Sequence, residues 1–196
     1  MYARWASLTE RIEAVSFILL QQRKLIIGKE VFMKIYRCKV CGYLHVGSAP
    51  EECPMCHAGQ AAFSEYQPAD VTGTKTAENL AAAFAGESQA NRKYTLWKHI
   101  AEEAGETEAA AAFDRPMAEE TAHALAEAVY LGMFGGVKEN LESAAAGEQY
   151  EEESMYPEFA KTAREEGFED IAHFFEMTAK FEGAHKAGYK KAAEVL

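Results

Sequence analysis

The chain has 196 residues, of which 48% are hydrophobic and 26% are charged, a composition that suits one globular domain with a small accessory module. Its formal net charge of −11 argues against nucleic acid or an anionic membrane as a partner. No apolar run reaches the length of about 18 residues that a membrane-spanning helix needs, so no span is expected.

Residues 1–32 form an N-terminal extension whose apolar stretch "IEAVSFILL" is followed by "QQRKLII". Because no small-residue cleavage site follows that stretch, a secretory signal is not expected. Two interpretations stay open. The extension is a peripheral helix, or the protein begins at Met33 and the preceding residues come from an upstream start.

The segment 33–70 is rich in turn residues and contains all four cysteines, as the pairs Cys38-x-x-Cys41 and Cys53-x-x-Cys56. Two such pairs predict a tetrahedral four-thiolate site for zinc or iron, in a reducing compartment such as the cytoplasm. About 35 residues cannot bury a sufficient core, so metal binding would supply the folding energy. The spacing does not choose between a structural zinc and an electron-carrying iron.

From residue 74 onward the pattern predicts four helices, at about 76–104, 106–134, 138–166 and 168–194. The glycines at 105, 135–136 and 167 separate them, as helix ends prefer. "TKTAE" (74–78) offers a threonine cap with a glutamate in the first turn.

This helical part contains an internal repeat. "ENLAAAFAGES" (78–88) matches "ENLESAAAGEQ" (139–149) at an offset of 61, and "AEEAGETEAAAAF" (101–113) matches "AREEGFEDIAHFF" (163–175) at 62. The chain therefore repeats one helical hairpin. The extra residue falls within 150–156, and one residue inserted into a helix predicts a π-bulge.

Each half of the repeat supplies the same acidic pattern. The first half has Glu87 and then Glu120-x-x-His123, and the second has Glu148 and then Glu182-x-x-His185. Residues three apart share a helix face, and this combination is the ligand set of di-iron or di-manganese carboxylate bundles. Small apolar neighbours place these carboxylates on the buried stripe, where a metal would compensate their charge.

These motifs together resemble the rubrerythrins, and more closely the reverse rubrerythrins, in which the rubredoxin-like module comes first. The resemblance covers about 33–194. It implies an all-α ferritin-like four-helix bundle (74–196) preceded by a small rubredoxin-like metal-knuckle domain (33–70). It also implies a non-haem di-iron site and an Fe(SCys)4 centre rather than zinc.

The activity that the resemblance implies is peroxidase, an oxidoreductase of oxidative-stress defence that reduces hydrogen peroxide to water. Electrons would come ultimately from NAD(P)H, through a reductase or small electron-carrier protein. The di-iron ligands that it implies are Glu87, Glu120, His123, Glu148, Glu151, Glu182 and His185. In the family, the residue matching Glu151 ligates one iron in the oxidised state and gives way on reduction to the histidine matching His123.

Two local features qualify this assignment. Glu151 aligns with Ala90 and has no partner in the repeat, and it adjoins the inserted residue. Pro116 lies one turn before Glu120, where we expect a kink because proline lacks a backbone donor. A ferritin-like iron-oxidising or storage protein is the alternative function, and a zinc-ribbon adaptor on a helical scaffold is a third.

The connection between the second and third helices predicts an assembly. In a ferritin-like bundle these helices run parallel, so the connection must return along a helix of about 42 Å. The linker Phe134–Lys138 spans at most about 15–18 Å. We therefore expect a homodimer with swapped helix hairpins, with a simple up-down-up-down bundle as the other solution.

Overall fold

The computed structural model describes residues 33–196, so the predictions for residues 1–32 lie outside the described part. Within that part, a small sheet comes first and a series of helices follows. None of these helices is long and apolar enough to cross a membrane.

The N-terminal module is built on a three-stranded antiparallel sheet in the order β2–β1–β3. Its strands are β1 (Ile35–Cys38), β2 (Leu44–Val46) and β3 (Phe63–Tyr66), and a 3-10 turn at Gln60–Ala62 leads into β3. Cys38 ends β1 opposite Phe63, and these two side chains are buried together with Cys53. The core of the module therefore forms around its cysteines.

The described part continues with six α-helices: α1 (Lys75–Glu103), α2 (Thr107–Ala111), α3 (Asp114–Tyr130), α4 (Val137–Tyr150), α5 (Tyr156–Glu165) and α6 (Glu169–Ala193). Thr74 caps α1 by accepting from the N–H of Ala77, as the sequence predicts. Gly105 and Gly167 adopt positive φ angles of 77° and 88° between helices, and their lack of a Cβ makes this conformation accessible.

The second predicted helix, 106–134, is wrong in two respects. It divides into α2 and α3, and α3 starts two residues before Pro116, so the proline lies in a first turn where its missing N–H costs little. It also ends at Tyr130 rather than near Gly135–Gly136, because Gly132 takes a φ of 65°. The expected kink at Pro116 is therefore a full break in the helix.

The predicted π-bulge is confirmed. A π-helical turn, Glu151–Met155, joins α4 to α5 without interrupting the helical path. It lies inside the segment where the repeat gains its extra residue. One additional residue in a helix widens one turn, which restores the face of the residues that follow.

The helices form two hairpins that correspond to the repeat. In the first hairpin α1 packs on α3, and in the second α4 and α5 pack on α6. Matching aromatic clusters hold the hairpins, Tyr94 with Trp97 and Phe113 in the first and Tyr156 with Phe159 and Phe175 in the second. Within residues 33–196, no helix of one hairpin packs extensively on a helix of the other.

The sheet module packs on the last turns of α3. Ile35 and Leu44 form a buried cluster with Val129, and the ring of Tyr66 meets the edge of Tyr130 at 6.1 Å between centroids. The guanidinium of Arg37 lies over the Tyr66 ring at 5.6 Å. The cysteine module is thus attached to the first hairpin of its own chain.

Candidate metal centres

The four cysteines converge at one point of the sheet module. Their sulfur atoms all lie within 4.8 Å of one another, with Cys38 Sγ 3.7 Å from Cys56 Sγ and Cys41 Sγ 3.6 Å from Cys53 Sγ. Sulfurs at these separations surround a space that a tetrahedral ion bound by four thiolates would occupy. The predicted four-cysteine site is therefore formed in the described structure.

The two cysteine pairs use the same local fold. The N–H of Gly42 donates to the carbonyl of Cys38 at 2.9 Å, and the N–H of His57 donates to the carbonyl of Cys53 at 2.9 Å. Gly42 and His57 both have positive φ, of 84° and 60°. Each pair thus forms a knuckle whose fifth residue is left-handed, a position that glycine occupies without strain.

The knuckle environment gives the thiols of Cys38 and Cys41 different pKa values. Burial alone would raise the pKa of Cys38, but the backbone N–H groups of Cys41 and Val40 point at its sulfur and the pKa falls to about 7. Burial raises the pKa of Cys41 to about 12. A metal ion would relieve this crowding by replacing the remaining thiol protons.

The first hairpin brings Glu87 of α1 to Glu120 and His123 of α3, as the sequence predicts. One ligand atom from each of the three lies within 4.8 Å of the others. His123 Nδ1 is 3.0 Å from Glu120 Oε2. The Glu120 side chain is only 18% exposed, whereas that of His123 is 53% exposed. The break before Pro116 has not displaced Glu120 from this group.

The second hairpin repeats the arrangement with Glu148 of α4 and Glu182 and His185 of α6. His185 Nδ1 is 2.8 Å from Glu182 Oε2 and 3.7 Å from Glu148 Oε2. The Glu182 side chain is 13% exposed and that of His185 is 55% exposed. Each hairpin therefore groups two of the predicted carboxylates with one of the predicted histidines, and in each group the imidazole lies on the open side.

The carboxylates in each half-site are forced together. A hydrogen bond to Glu120, with burial, raises the pKa of Glu87. Burial, followed by a hydrogen bond to Glu182, raises the pKa of Glu148. Glu148 Oε2 is buried and has no hydrogen-bond partner among residues 33–196. Close, desolvated carboxylates with an unsatisfied oxygen fit a hard cation, and imidazole nitrogens complete a donor set that suits iron.

Glu151 lies at the start of the π-helical turn beside the second half-site. It is outside the tight group of three, but burial and then the nearby Glu182 carboxylate raise its pKa, and His185 opposes that effect. Tyr156 lies both beside these carboxylates and in an aromatic cluster. Its pKa is raised by burial and then by Glu151 and Glu182.

The other histidines among residues 33–196 are not members of these groups. His57 Nδ1 is 2.8 Å from Glu52 Oε1, and His45 Nδ1 is 3.4 Å from the Tyr43 hydroxyl, so each has a partner other than the metal site. His99 and His173 are exposed on their helices. That four thiolates alone form the cysteine site stays a prediction.

One acidic residue near the first half-site was missed. Glu127 follows His123 by one helical turn, and its Oε2 is buried without a hydrogen-bond partner among residues 33–196. Burial raises the pKa of Glu127, His123 opposes that effect, and the Glu120 carboxylate adds to it. The spacing of four residues from His123 could have revealed it, because such residues share a helix face.

Comparison with known proteins places both parts of the chain. The family described as "Rubrerythrin" matches residues 78–193, and that described as "Rubrerythrin, rubredoxin-like domain" matches residues 36–64. Rubrerythrin of Porphyromonas gingivalis is 39% identical over 132 residues, which cover 61% of this chain and 66% of the relative. The chain thus spans about two thirds of the length of that relative.

Two further comparisons extend this result. Reverse rubrerythrin-1 of Clostridium acetobutylicum is 29% identical over 174 residues, covering 81% of this chain and 96% of the relative. A solved structure titled "Fully reduced state of nigerythrin (all ferrous)" is 33% identical, with a TM-score of 0.30 over 64% of this chain and 71% of its own.

The family matches confirm the predicted fold class, a ferritin-like helical domain preceded by a rubredoxin-like knuckle module. The family matches and the three ligand clusters indicate the same cofactors. These are a non-haem di-iron centre of the helical domain and a four-cysteine iron centre of the knuckle module. The order of the two modules is the one predicted for the reverse type.

Proposed function

The chain belongs to the rubrerythrin family, and we propose that it is a peroxidase that reduces hydrogen peroxide to water in oxidative-stress defence. One observation supports this most directly. A single chain combines a four-cysteine module suited to one iron with carboxylate–histidine groups suited to a pair of irons. The first is an entry point for single electrons, and the second can use two of them together.

The ligand assignment is part of the proposal. Cys38, Cys41, Cys53 and Cys56 would hold the single iron. The di-iron centre would be held by Glu87, Glu120, His123, Glu148, Glu151, Glu182 and His185. We place the domains at 33–70 for the knuckle module and 74–196 for the di-iron bundle, after an N-terminal extension at 1–32.

The metals and the carboxylates of the centre would have different roles. The bound iron pair would supply the two electrons that reduction of one peroxide molecule requires. The clustered carboxylates neutralise the positive charge of the metals and keep the site open on the side of the exposed imidazoles. The side chains of Glu148 and Glu182 are only 18% and 13% exposed, which limits the access of water to their oxygens.

We also propose that the complete centre forms between two chains. The first hairpin contributes three of the seven proposed ligands and the second contributes four, and the hairpins of one chain do not pack extensively on each other within residues 33–196. Large apolar side chains stay exposed on both: Leu96 is 57% exposed, Leu125 62%, Phe174 62% and Phe181 58%. A monomer rarely leaves so much apolar surface open, and a second copy supplies the missing hairpin.

The linker supports a swapped arrangement. It runs over six residues from the end of α3 at Tyr130 to the start of α4 at Val137. Such a segment reaches roughly 23–25 Å, which is shorter than the bundle, whose helices α1 (29 residues) and α6 (25 residues) are about 43 and 37 Å long. Asn140 holds the C-terminal end of the linker. Its side chain accepts from the N–H of Gly135 at 2.7 Å and donates to the carbonyl of Gly135 at 3.0 Å. The proposed protein is a homodimer with swapped hairpins.

The remaining parts of the proposal concern electron supply. Electrons would reach the cysteine-bound iron from a reductase or small carrier protein linked to NAD(P)H, and the protein would work in the cytoplasm. The alternative, a ferritin-like iron-oxidising or storage protein, would need no cysteine-bound iron for its activity.

The test is peroxide turnover by the iron-loaded full chain. Three irons per chain and peroxide consumption driven by a reductase are expected. Replacing Cys41 and Cys56 by serine should abolish reductase-driven turnover and leave the di-iron content unchanged. If the serine variant still oxidises ferrous iron and accumulates it beyond two ions per chain, the storage function is correct and the peroxidase proposal is wrong.

A further inference from the structure

The two hairpins differ at one matched crossing point. In the first hairpin Asn91, four residues after Glu87, is 7% exposed and donates to Thr121 Oγ1 at 2.9 Å and to the carbonyl of Met117 at 2.7 Å. The matched residue four positions after Glu148 is Glu152, and Thr121 corresponds to Gly183. A neutral amide in one hairpin is thus replaced by a carboxylate in the other.

Gly183 makes room for this carboxylate. A Cβ at Gly183 would lie 2.7 Å from Glu152 Cδ, closer than real Cβ contacts, and would collide with Glu152 Oε1. A side chain at this position would therefore push Glu152 away from α6. Glycine is unfavourable inside a helix relative to alanine, and at this position it leaves the space that the Glu152 carboxylate occupies.

Lys186, one turn after Gly183, pairs with this carboxylate. Its ammonium forms an ion pair with Glu152 and lies 3.1 Å from Glu153 Oε1. The side chain of Lys186 is 18% exposed and that of Glu152 is 32% exposed, so the pair is largely shielded from water. Salt screens an ion pair in such surroundings less than one on the open surface.

Both carboxylates that Lys186 holds belong to the π-helical turn. Gln149 extends the connection, since its Nε2 donates to Glu153 Oε2 at 3.1 Å and its Oε1 accepts from Lys190 Nζ at 3.4 Å. A π-helical turn is rare and needs support from tertiary contacts. Glu151 begins this same turn and faces Glu182 and His185.

We propose that Lys186 is a positioning residue that ties the π-helical turn to α6 through Glu152, with Gly183 providing the space, and so directs the Glu151 carboxylate towards the second half-site. The inference rests on the proposed function for the role of Glu151. The tie itself does not depend on that function. The second hairpin thus has an ion pair beside its half-site, between Lys186 and Glu152, that the first hairpin lacks among the described residues.

Hydrogen exchange in the metal-free full chain tests the tie without reference to activity. Lys186→Met should make the amides of residues 151–156 exchange on the order of tenfold faster, because loss of a charge-assisted pair lowers the local opening energy. Lys180→Met is the matched control, since Lys180 is exposed on α6 and contacts Met177 rather than the π-helical turn, and this variant should exchange like the wild type. Lys186→Arg should restore protection.

Gly183→Ala provides a second route to the same result. It keeps both charges and improves helix propensity, yet it must displace the Glu152 carboxylate, so exchange should rise in the same segment. Unchanged protection of residues 151–156 in both Lys186→Met and Gly183→Ala would overturn the tie.

The role of Glu151 is tested separately with the iron-loaded enzyme. Lys186→Met and Glu151→Gln should each lower kcat with little change in KM, and the double variant should be no slower than Glu151→Gln. Independent, multiplicative losses would show that Lys186 does not act through Glu151. If even the wild type fails to reduce peroxide, the proposed function is wrong, and the exchange results still decide the tie.

Discussion

Two inactive variants of this chain should restore activity to each other if the di-iron centre forms between swapped hairpins. Glu87→Ala damages the half-site of the first hairpin, and Glu148→Ala damages that of the second. In a dimer made of either variant alone, every centre lacks one carboxylate. We expect each of these dimers to be nearly inactive, because the remaining ligands leave the metal charge unbalanced.

The expected recovery follows from counting centres in the mixed dimer. In a swapped dimer, one centre combines the damaged first hairpin with the damaged second hairpin, and the other combines the two intact hairpins. Random association of equal amounts makes half of the dimers mixed, so about one quarter of all centres should be complete. If each centre formed within one chain, no centre would be complete in any dimer.

Co-expression of the two variants with different affinity tags isolates the mixed dimers by two successive purifications. In this pure fraction about half of the centres should be intact, so peroxide turnover per chain should reach about half of the wild-type value. The matched control combines Glu87→Ala with Glu120→Ala. Both lesions lie in the first hairpin, so either topology gives no recovery.

Mixed dimers that turn over no faster than the single-variant dimers would refute the two-chain centre, provided that the fraction contains both tags. Iron content provides a check that does not depend on turnover. Intact centres should retain a metal pair after mild chelation, so mixed dimers should keep more iron than either parent.

Three further predictions concern stability. Glu127→Gln should raise the midpoint of thermal unfolding of the metal-free chain at pH 7, because burial raises the pKa of Glu127 and its charge there opposes folding. The gain should shrink as the pH falls through that raised pKa and vanish below the ordinary pKa of a glutamate, where the carboxyl is protonated in the folded and the unfolded chain. Equal midpoints at pH 7 would contradict this. Gly42→Ala should destabilise the knuckle module by about 1–2 kcal/mol, because the φ of Gly42 is 84°. The measurement is the loss of the cysteine-bound metal to a chelator, which should become easier. Gly59→Ala is the control and should be neutral, because the φ of Gly59 is −66°. Asn91→Ala should lower the free energy of unfolding by about 1–3 kcal/mol in urea titration at fixed protein concentration, since two buried hydrogen bonds are lost; a loss well below this range would mean that water replaces them.

Local spacing was enough to predict the ligand groups of each hairpin. Glu120 and His123 lie three residues apart, and a helix places such residues on one face whatever surrounds it. The two cysteine pairs predict knuckles for a similar reason, since each pair closes its own short turn. The inserted residue was also visible, because the repeat offset changes from 61 to 62 and a helix absorbs one extra residue as a π-helical turn.

Helix ends were less predictable, because several residues compete for them. Gly132, Gly135 and Gly136 all offer an end to α3, and the sequence favoured the pair. The helix instead ends at Tyr130, where Val129 and Tyr130 turn towards the knuckle module and pack with Ile35 and Tyr66. That contact joins residues more than 60 positions apart, so no local pattern shows it.

The sequence by itself determined which residues can bind metal, which modules hold them and that the hairpin is repeated, because these properties follow from residue type and from the period of the helix. Only the tertiary structure decided how the parts meet. It separated the ligands into two open half-sites, buried Glu127 beside one of them and placed Lys186 over Glu152 at the other. Each of these depends on the path of the backbone between distant segments, which residue spacing does not encode.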